Sequence, residues 1–163
     1  MSELIYLGKF QHVLDGQSRV SIPSEWREAE DGPANYVLFR GRGDALIMFP
    51  SETFLEFVGR VRGGAFASDE LQELLAWVGE RTRRCQCDKQ GRVKLDRTML
   101  DDCGIGDKLE LVGAVTHMLL RAPQVSEPEV GRDEKFFARM REFAGTDGAD
   151  AVKVLASALG LKK

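Results

Sequence analysis

The stretch Leu14-Asp15-Gly16-Gln17-Ser18-Arg19-Val20-Ser21-Ile22-Pro23 returns, altered, as Cys87-Asp88-Lys89-Gln90-Gly91-Arg92-Val93-Lys94-Leu95-Asp96. Asp15 matches Asp88, Arg19 matches Arg92, Val20 matches Val93 and Ile22 matches Leu95, all at an offset of 73 residues. A repeat at a fixed offset decides the architecture before any single element does. The same offset carries Leu38 to Leu111, Phe39 to Val112, Leu46 to Leu119, Ile47 to Leu120 and Pro50 to Pro123. The sequence therefore predicts two copies of one supersecondary unit aligned without a gap, residues 1–66 and 67–123. A third segment, 124–163, follows them.

Each copy reads in one order. A strand (8–14; 83–87) leads into the Asp-to-Arg turn, then a short strand (19–22; 92–95) and a short helix (24–29; 98–103). Thr98 with Asp101 three residues on has capping-box spacing, and Gly104 stands where a helix stops. Two apolar strands close each copy (36–40 and 45–49; 108–112 and 117–121), the first pair joined by the hairpin signal Gly41-Arg42-Gly43-Asp44. Residues 51–61 and 68–81 have helical periodicity. Their stripes, Phe54, Leu55, Val58 and Val61, then Leu71, Leu74, Leu75 and Val78, predict packing against the core. After Pro123 comes a polar linker, 124–131, and two short amphipathic helices, 133–143 and 149–159. This tail has seven basic and seven acidic residues, which speaks against a nucleic-acid arm.

Composition removes several classes. With 43% hydrophobic and 30% charged residues the 163-residue chain is ordinary globular material. No apolar run reaches the roughly 18 residues of a membrane span. The opening MSELIYLGKF lacks the basic and apolar regions of a secretory signal. Three cysteines suit reduced thiols in a cytoplasm better than a disulfide framework. The net charge of −3 argues against coating nucleic acid by bulk charge and leaves room for a local basic patch. No nucleophile, base and orienting group assemble from spacing, so an enzyme is not expected.

The doubled Asp-x-x-x-Arg carries the chemistry. An Asp and an Arg four residues apart across a tight turn can form an ion pair that fixes the loop. That makes either a structural turn whose Arg is consumed by its own Asp, or a positively tipped loop. In the second case Arg92 beside Lys89, and Arg19 alone, would read guanine edges or hold phosphates. Gly91 can supply a positive φ where the first copy has Ser18. Cys85-x-Cys87 with a distant Cys103 lacks zinc spacing, and His12 and His117 are isolated, so no metal or other cofactor is expected.

Tyr6-Leu7-Gly8-Lys9-Phe10-Gln11-His12-Val13-Leu14-Asp15, then Ser18-Arg19-Val20-Ser21-Ile22-Pro23 and Trp26-Arg27, resembles the opening of the MraZ family. Asp88-Lys89-Gln90-Gly91-Arg92-Val93 resembles its second motif, and Leu111-Val112-Gly113 the strand after it; the resemblance spans roughly residues 5 to 125. Gln17-Ser18 stand where that pattern has Lys-Gly, Asp96 where it has Pro, and Leu120-Arg121 where it favours Trp. The resemblance implies an α+β fold. Its tandem SpoVT/AbrB-type units would form one pseudo-twofold, swapped-hairpin-like barrel, with linking helices and a helical C-terminal tail. It also implies a homo-oligomeric ring that binds double-stranded DNA at direct repeats upstream of a cell-division and cell-wall gene cluster. Such a regulator is cytoplasmic and nucleoid-associated, with no membrane partner and no small-molecule substrate. On that resemblance Arg19, Arg92, Lys89, Gln17 and Gln90 face DNA, and Asp15 and Asp88 orient the loops. The alternative is a ring-forming protein-interaction or antitoxin-like module with weakened DNA binding.

Overall fold

A computed structural model describes residues 5–27, 35–41, 43–64, 68–124, 134 and 138. By its internal contacts the chain divides into Met1–Pro123 and Gln124–Lys163. Apart from positions 134 and 138, the tail helices expected over 133–143 and 149–159 lie outside the described residues.

The fold is α+β, with antiparallel strands and few helices. The first half supplies β1 (Lys9–Val13), β2 (Arg19–Ser21), β3 (Asn35–Arg40) and β4 (Ala45–Pro50). Helices α1 (Ser51–Arg62) and α2 (Asp69–Glu80) follow. The second half supplies β5 (Thr82–Gln86), β6 (Arg92–Lys94), α3 (Arg97–Asp102), β7 (Lys108–Gly113) and β8 (Met118–Arg121). Six strands form one sheet in the order β1-β7-β8-β4-β3-β5, and β2 and β6 pair as a separate ribbon. Exchanging each strand for its repeat counterpart reverses that order onto itself. The halves therefore interleave: β1 pairs with β7, β5 with β3, and β2 with β6.

The ribbon shows the swap most plainly. Val20 lies opposite Val93, and both are fully buried. Matched hydrogen bonds flank them, from Ile22 N to Gly91 O (2.8 Å) and from Leu95 N to Ser18 O (2.9 Å). Buried counterparts fill one core from both sides: Ile22 and Leu95, Trp26 and Met99, Leu38 and Leu111. Trp26 meets Tyr6 and Phe10 edge-on, and its indole N–H donates to Leu7 O at 3.0 Å. Gly113 lets that strand come close, because a Cβ there would lie 2.5 Å from the Tyr6 backbone.

The repeat is not gapless. Offset 73 carries β3 onto β7 with the same succession of exposed and buried positions. Past the hairpins the offset is 72: buried Leu46 and Met48 correspond to buried Met118 and Leu120. Arg40 pairs with Leu46, whereas Gly113 pairs with Met118, so the second turn is one residue shorter. Side chains alternate faces along a strand, and an uncorrected slip would send every core residue of β8 outward. The matches of Leu46 with Leu119, Ile47 with Leu120 and Pro50 with Pro123 are thus one residue out of register.

Three local expectations change as well. The helix expected over 24–29 is a single 3-10 turn, Ser24–Trp26, and Arg27 after it is extended. The cap of α3 is Asp96, whose carboxylate accepts from Met99 N at 3.0 Å, rather than a box of Thr98 and Asp101. Asp101 instead pairs with Arg97, one turn away. Gly104 ends the helix with φ +68, as its position predicted. Ser68 caps α2 by accepting from Leu71 N at 3.1 Å. The apolar stripes of α1 and α2, however, are not core: neither helix has a buried residue. Leu55 and Leu74 are 61% and 56% exposed. The sheet is already filled by side chains of both halves, so the helices meet each other across an open apolar cleft lined by Phe54, Val58, Val61, Leu75 and Val78. No helix among the described residues is long and apolar enough to cross a membrane.

One buried charge breaks the symmetry. Glu110 is 2% exposed and accepts from Arg121 Nε at 3.1 Å. The first half has Val37 opposite Phe49 in the same place. Removing one partner of a buried ion pair strands the other charge, at a cost of about 3–5 kcal/mol, whereas an apolar pair of similar volume is neutral or better. Arg121→Ala should therefore lower stability in urea unfolding by about that amount. The double variant Glu110→Val with Arg121→Phe, which copies the first half, should recover most of the loss. A double variant no more stable than Arg121→Ala would contradict this account.

Candidate nucleic-acid interface

The two Asp-to-Arg loops are built alike. In the first, Asp15 Oδ1 accepts from Gln17 N and Arg19 N, both at 2.9 Å, and Oδ2 accepts from Arg19 Nε at 2.6 Å. In the second, Asp88 Oδ1 accepts from Gln90 N (2.9 Å) and Arg92 N (3.0 Å), and Oδ2 from Arg92 Nε (2.9 Å). Backbone bonds close both turns: Asp15 N to Arg19 O and Ser18 N to Asp15 O, matched by Asp88 N to Arg92 O and Gly91 N to Asp88 O. Short polar side chains close such turns because they can reach their own backbone two residues on.

Ionisation follows from that geometry. Asp15 and Asp88 are held below the ordinary carboxylate range, first by the backbone N–H of Arg19 or Arg92, then by the other turn donors and the guanidinium. Each Arg is anchored through Nε, and its two Nη groups have no partner among the described residues. Of the two readings left open by spacing, the Arg is thus only partly consumed. Its outer edge remains able to donate in the planar fork that suits phosphate or guanine.

The ribbon places the loops at its two ends. Period-two alternation buries Val20, Ile22, Val93 and Leu95 and turns Arg19, Ser21, Arg92 and Lys94 outward. Arg19 lies opposite Lys94, and Ser21 opposite Arg92. Lys89, Gln17 and Gln90 are exposed in the loops. All seven residues singled out in the sequence therefore gather on one ribbon and its turns. Sequence reasoning missed two neighbours. Lys94 stands two residues beyond Arg92, a spacing that puts both on one strand face, but only the cross-strand register sets it beside Arg19. Arg27 places its guanidinium where a Cβ of Gly91 would stand.

The other candidates lie apart from the ribbon's outer face. Cys85, Cys87 and Cys103 are buried free thiols, and burial pushes Cys85 up to about 11. His12 and His117 are held below the usual imidazole range by burial. His117 packs on Phe49, and Thr116 Oγ1 lies 3.0 Å from its Nδ1. No cluster of metal-ligating side chains occurs among the described residues.

The first loop bears strain that the second avoids. Ser18 has φ +58 and Gly91 φ +78. Left-handed backbone costs a residue with a Cβ roughly 1–2 kcal/mol, and glycine's extra freedom when unfolded costs roughly 0.5–1 kcal/mol. Ser18→Gly should raise stability by no more than about 1 kcal/mol, read as a higher melting temperature; a lower one would refute the assignment of strain.

Acid should release both clamps. A carboxylate with a depressed pKa adds stability that is present above its unfolded value, near 3.9, and is lost as pH falls through the folded value. Carboxyl carbon NMR of Asp15 and Asp88 should give midpoints below the ordinary aspartate value, moving back to it in Arg19→Ala and Arg92→Ala only in part, because the backbone donors remain. Midpoints at or above that value in the wild type would count against the clamp.

A scan against protein-family models finds no match. Similarity to individual proteins is extensive. The chain is 25% identical over 120 residues to a transcriptional regulator MraZ of Roseiflexus sp. (strain RS-1), covering 74% of this chain and 82% of the relative. It is 26% identical over 115 residues to one from Cutibacterium acnes, covering 70% and 79%. It is 20% identical over 138 residues to one from Desulforamulus reducens, covering 85% and 96%. These relatives are named as regulators of transcription, not as enzymes. Over most of each relative's length, then, the chain is similar to bacterial transcriptional regulators named MraZ.

Proposed function

We propose that this chain is a DNA-binding transcriptional regulator whose two Asp-to-Arg loops contact the duplex. The observation that carries the reading is the doubled clamp, which presents two guanidinium edges on one exposed ribbon. Arg19 and Arg92 make the charge-assisted contacts, Lys89 adds a phosphate contact, and Gln17 and Gln90 approach base or sugar edges. Asp15 and Asp88 orient the arginines. In this reading residues 1–66 and 67–123 are tandem SpoVT/AbrB-type repeats closing one swapped-hairpin-like barrel, and 124–163 is an extension. The self-mapping strand order supports that arrangement.

Charge makes assembly part of the proposal. The chain carries −3 overall, so one ribbon binds weakly against a repulsive background. Several ribbons on one homo-oligomeric ring, engaging successive direct repeats, gain from effective concentration by as much as about 10²–10⁴. The exposed apolar stripes of α1 and α2 support self-association. The expected operator lies upstream of a cell-division and cell-wall gene cluster, and the protein works in the cytoplasm on the nucleoid. The same apolar cleft favours the second reading, a ring-forming protein-interaction or antitoxin-like module with weakened DNA binding.

Fluorescence anisotropy separates the two. The protein is titrated into a labelled duplex from upstream of its own gene and into a scrambled duplex, at two salt concentrations. A regulator binds the first more tightly, loses affinity as salt rises, and loses it at least tenfold in Arg19→Ala and Arg92→Ala, with native mass spectra unchanged. Equal, weak binding to both duplexes would transfer the assignment to the interaction module.

A further inference from the structure

The two ends of the ribbon differ in where their cations come from. At the second end, Arg92 is joined by Lys89 from its own loop, and the residue across the ribbon is Ser21. At the first end the counterpart of Lys89 is Gly16, so the loop supplies no lysine; across the ribbon from Arg19 stands Lys94. Each end thus has one clamped arginine, one lysine and one aspartate.

We propose that Lys94 is the phosphate contact of the first loop, lent to it by the second half. This rests on the DNA-binding reading above and adds a contact residue to it. Three observations converge on Lys94. Its register is fixed, because Leu95 N donates to Ser18 O at 2.9 Å and Val93 is fully buried against Val20. Its side chain is exposed on the same face as Arg19, since alternation buries both its neighbours. It has no ion pair among the described residues, whereas Arg19 shares its charge with Asp15 at 2.6 Å. An unpaired ammonium next to a buried strand centre is a well-placed point charge for a phosphate. It carries no base information, because an ammonium lacks the planar fork that reads a guanine edge.

The contact should therefore act on affinity and salt dependence, not on sequence preference. Neutralising one phosphate contact lowers the slope of log K against log salt by about 0.9 for B-form DNA. Lys94→Gln should weaken binding to the upstream and scrambled duplexes by the same factor. It should also flatten the salt slope by about 0.9 for each engaged ribbon, with the melting temperature unchanged. Gly16→Lys in the Lys94→Gln background should restore the slope by giving the first loop the lysine of the second. The backbone accepts that change: Gly16 lacks a positive φ, and nothing lies within 4 Å of a Cβ built there.

The outcomes separate the two claims. If Arg19→Ala weakens binding and Lys94→Gln leaves affinity and slope unaltered, the assignment of Lys94 fails while the DNA-binding reading stands. A Lys94→Gln effect on one duplex only would also overturn it, because a phosphate contact is blind to sequence. Wild-type protein that binds neither duplex at low salt would overturn both.

Discussion

The structure depends on the pairing of β2 with β6. Each strand is three residues long, too short to persist alone, and each finds its partner only in the other half. Val20 against Val93 is the centre of that pairing, with the matched bonds of Ile22 and Leu95 on either side. Once it forms, β1 is carried to β7 and β5 to β3, and the core closes from both directions. Neither half can bury its own Leu38 or Leu111 without the other. Joining the two in one chain makes their association intramolecular, which removes the concentration dependence that a pair of separate half-units would face.

That same pairing builds the candidate interface. The loops are the immediate continuations of β2 and β6, so any shift in register would move both arginines together. Within each loop a single carboxylate accepts from two backbone N–H groups and one guanidinium, which leaves little freedom at the base of the Arg side chain. Arginine and lysine then divide the work. The arginines, anchored through Nε, present a directional edge whose charge is largely offset by the neighbouring carboxylate. The net positive charge of the ribbon comes from Lys89 and Lys94, which are exposed and unclamped. Geometry and charge are thus supplied by different residues on one small surface.

Much of this was legible in the sequence because it repeats. Alternation and turn residues located the eight strands of the described residues to within a residue or two, and the spacing of Asp15 to Arg19 and Asp88 to Arg92 located both loops. What escaped was set by tertiary context. The shorter second hairpin is invisible while Leu46 and Leu119, or Pro50 and Pro123, match by type; only burial separates Leu119 from Met118. The stripes of α1 and α2 satisfy helical periodicity whether they face the sheet or each other, so pattern alone could not show that the core was already full. No local pattern marks Glu110 as buried, because its burial depends on Arg121 arriving from the next strand. Lys94 required a register that no local pattern encodes.

The duplication also acts as an internal control on which features the architecture requires. Where both halves keep the same residue, as at Asp15 and Asp88, Arg19 and Arg92, and Val20 and Val93, the geometry is the same to within a few tenths of an ångström. Where they differ, the second half tends to replace apolar packing with charge. In the first half Phe10 meets Trp26 edge-on, and Pro23 leads into the 3-10 turn that carries Trp26. Their counterparts Arg83, Asp96 and Met99 place an arginine 3.6 Å from an aspartate that also caps α3. Val37 and Phe49 become Glu110 and Arg121. The sheet tolerates either solution, since the backbone ladder is the same in both. The turn clamp admits no such exchange: an apolar pair there would leave the N–H groups of Gln17 and Arg19, or of Gln90 and Arg92, without their acceptor and release the arginine side chain from its anchor.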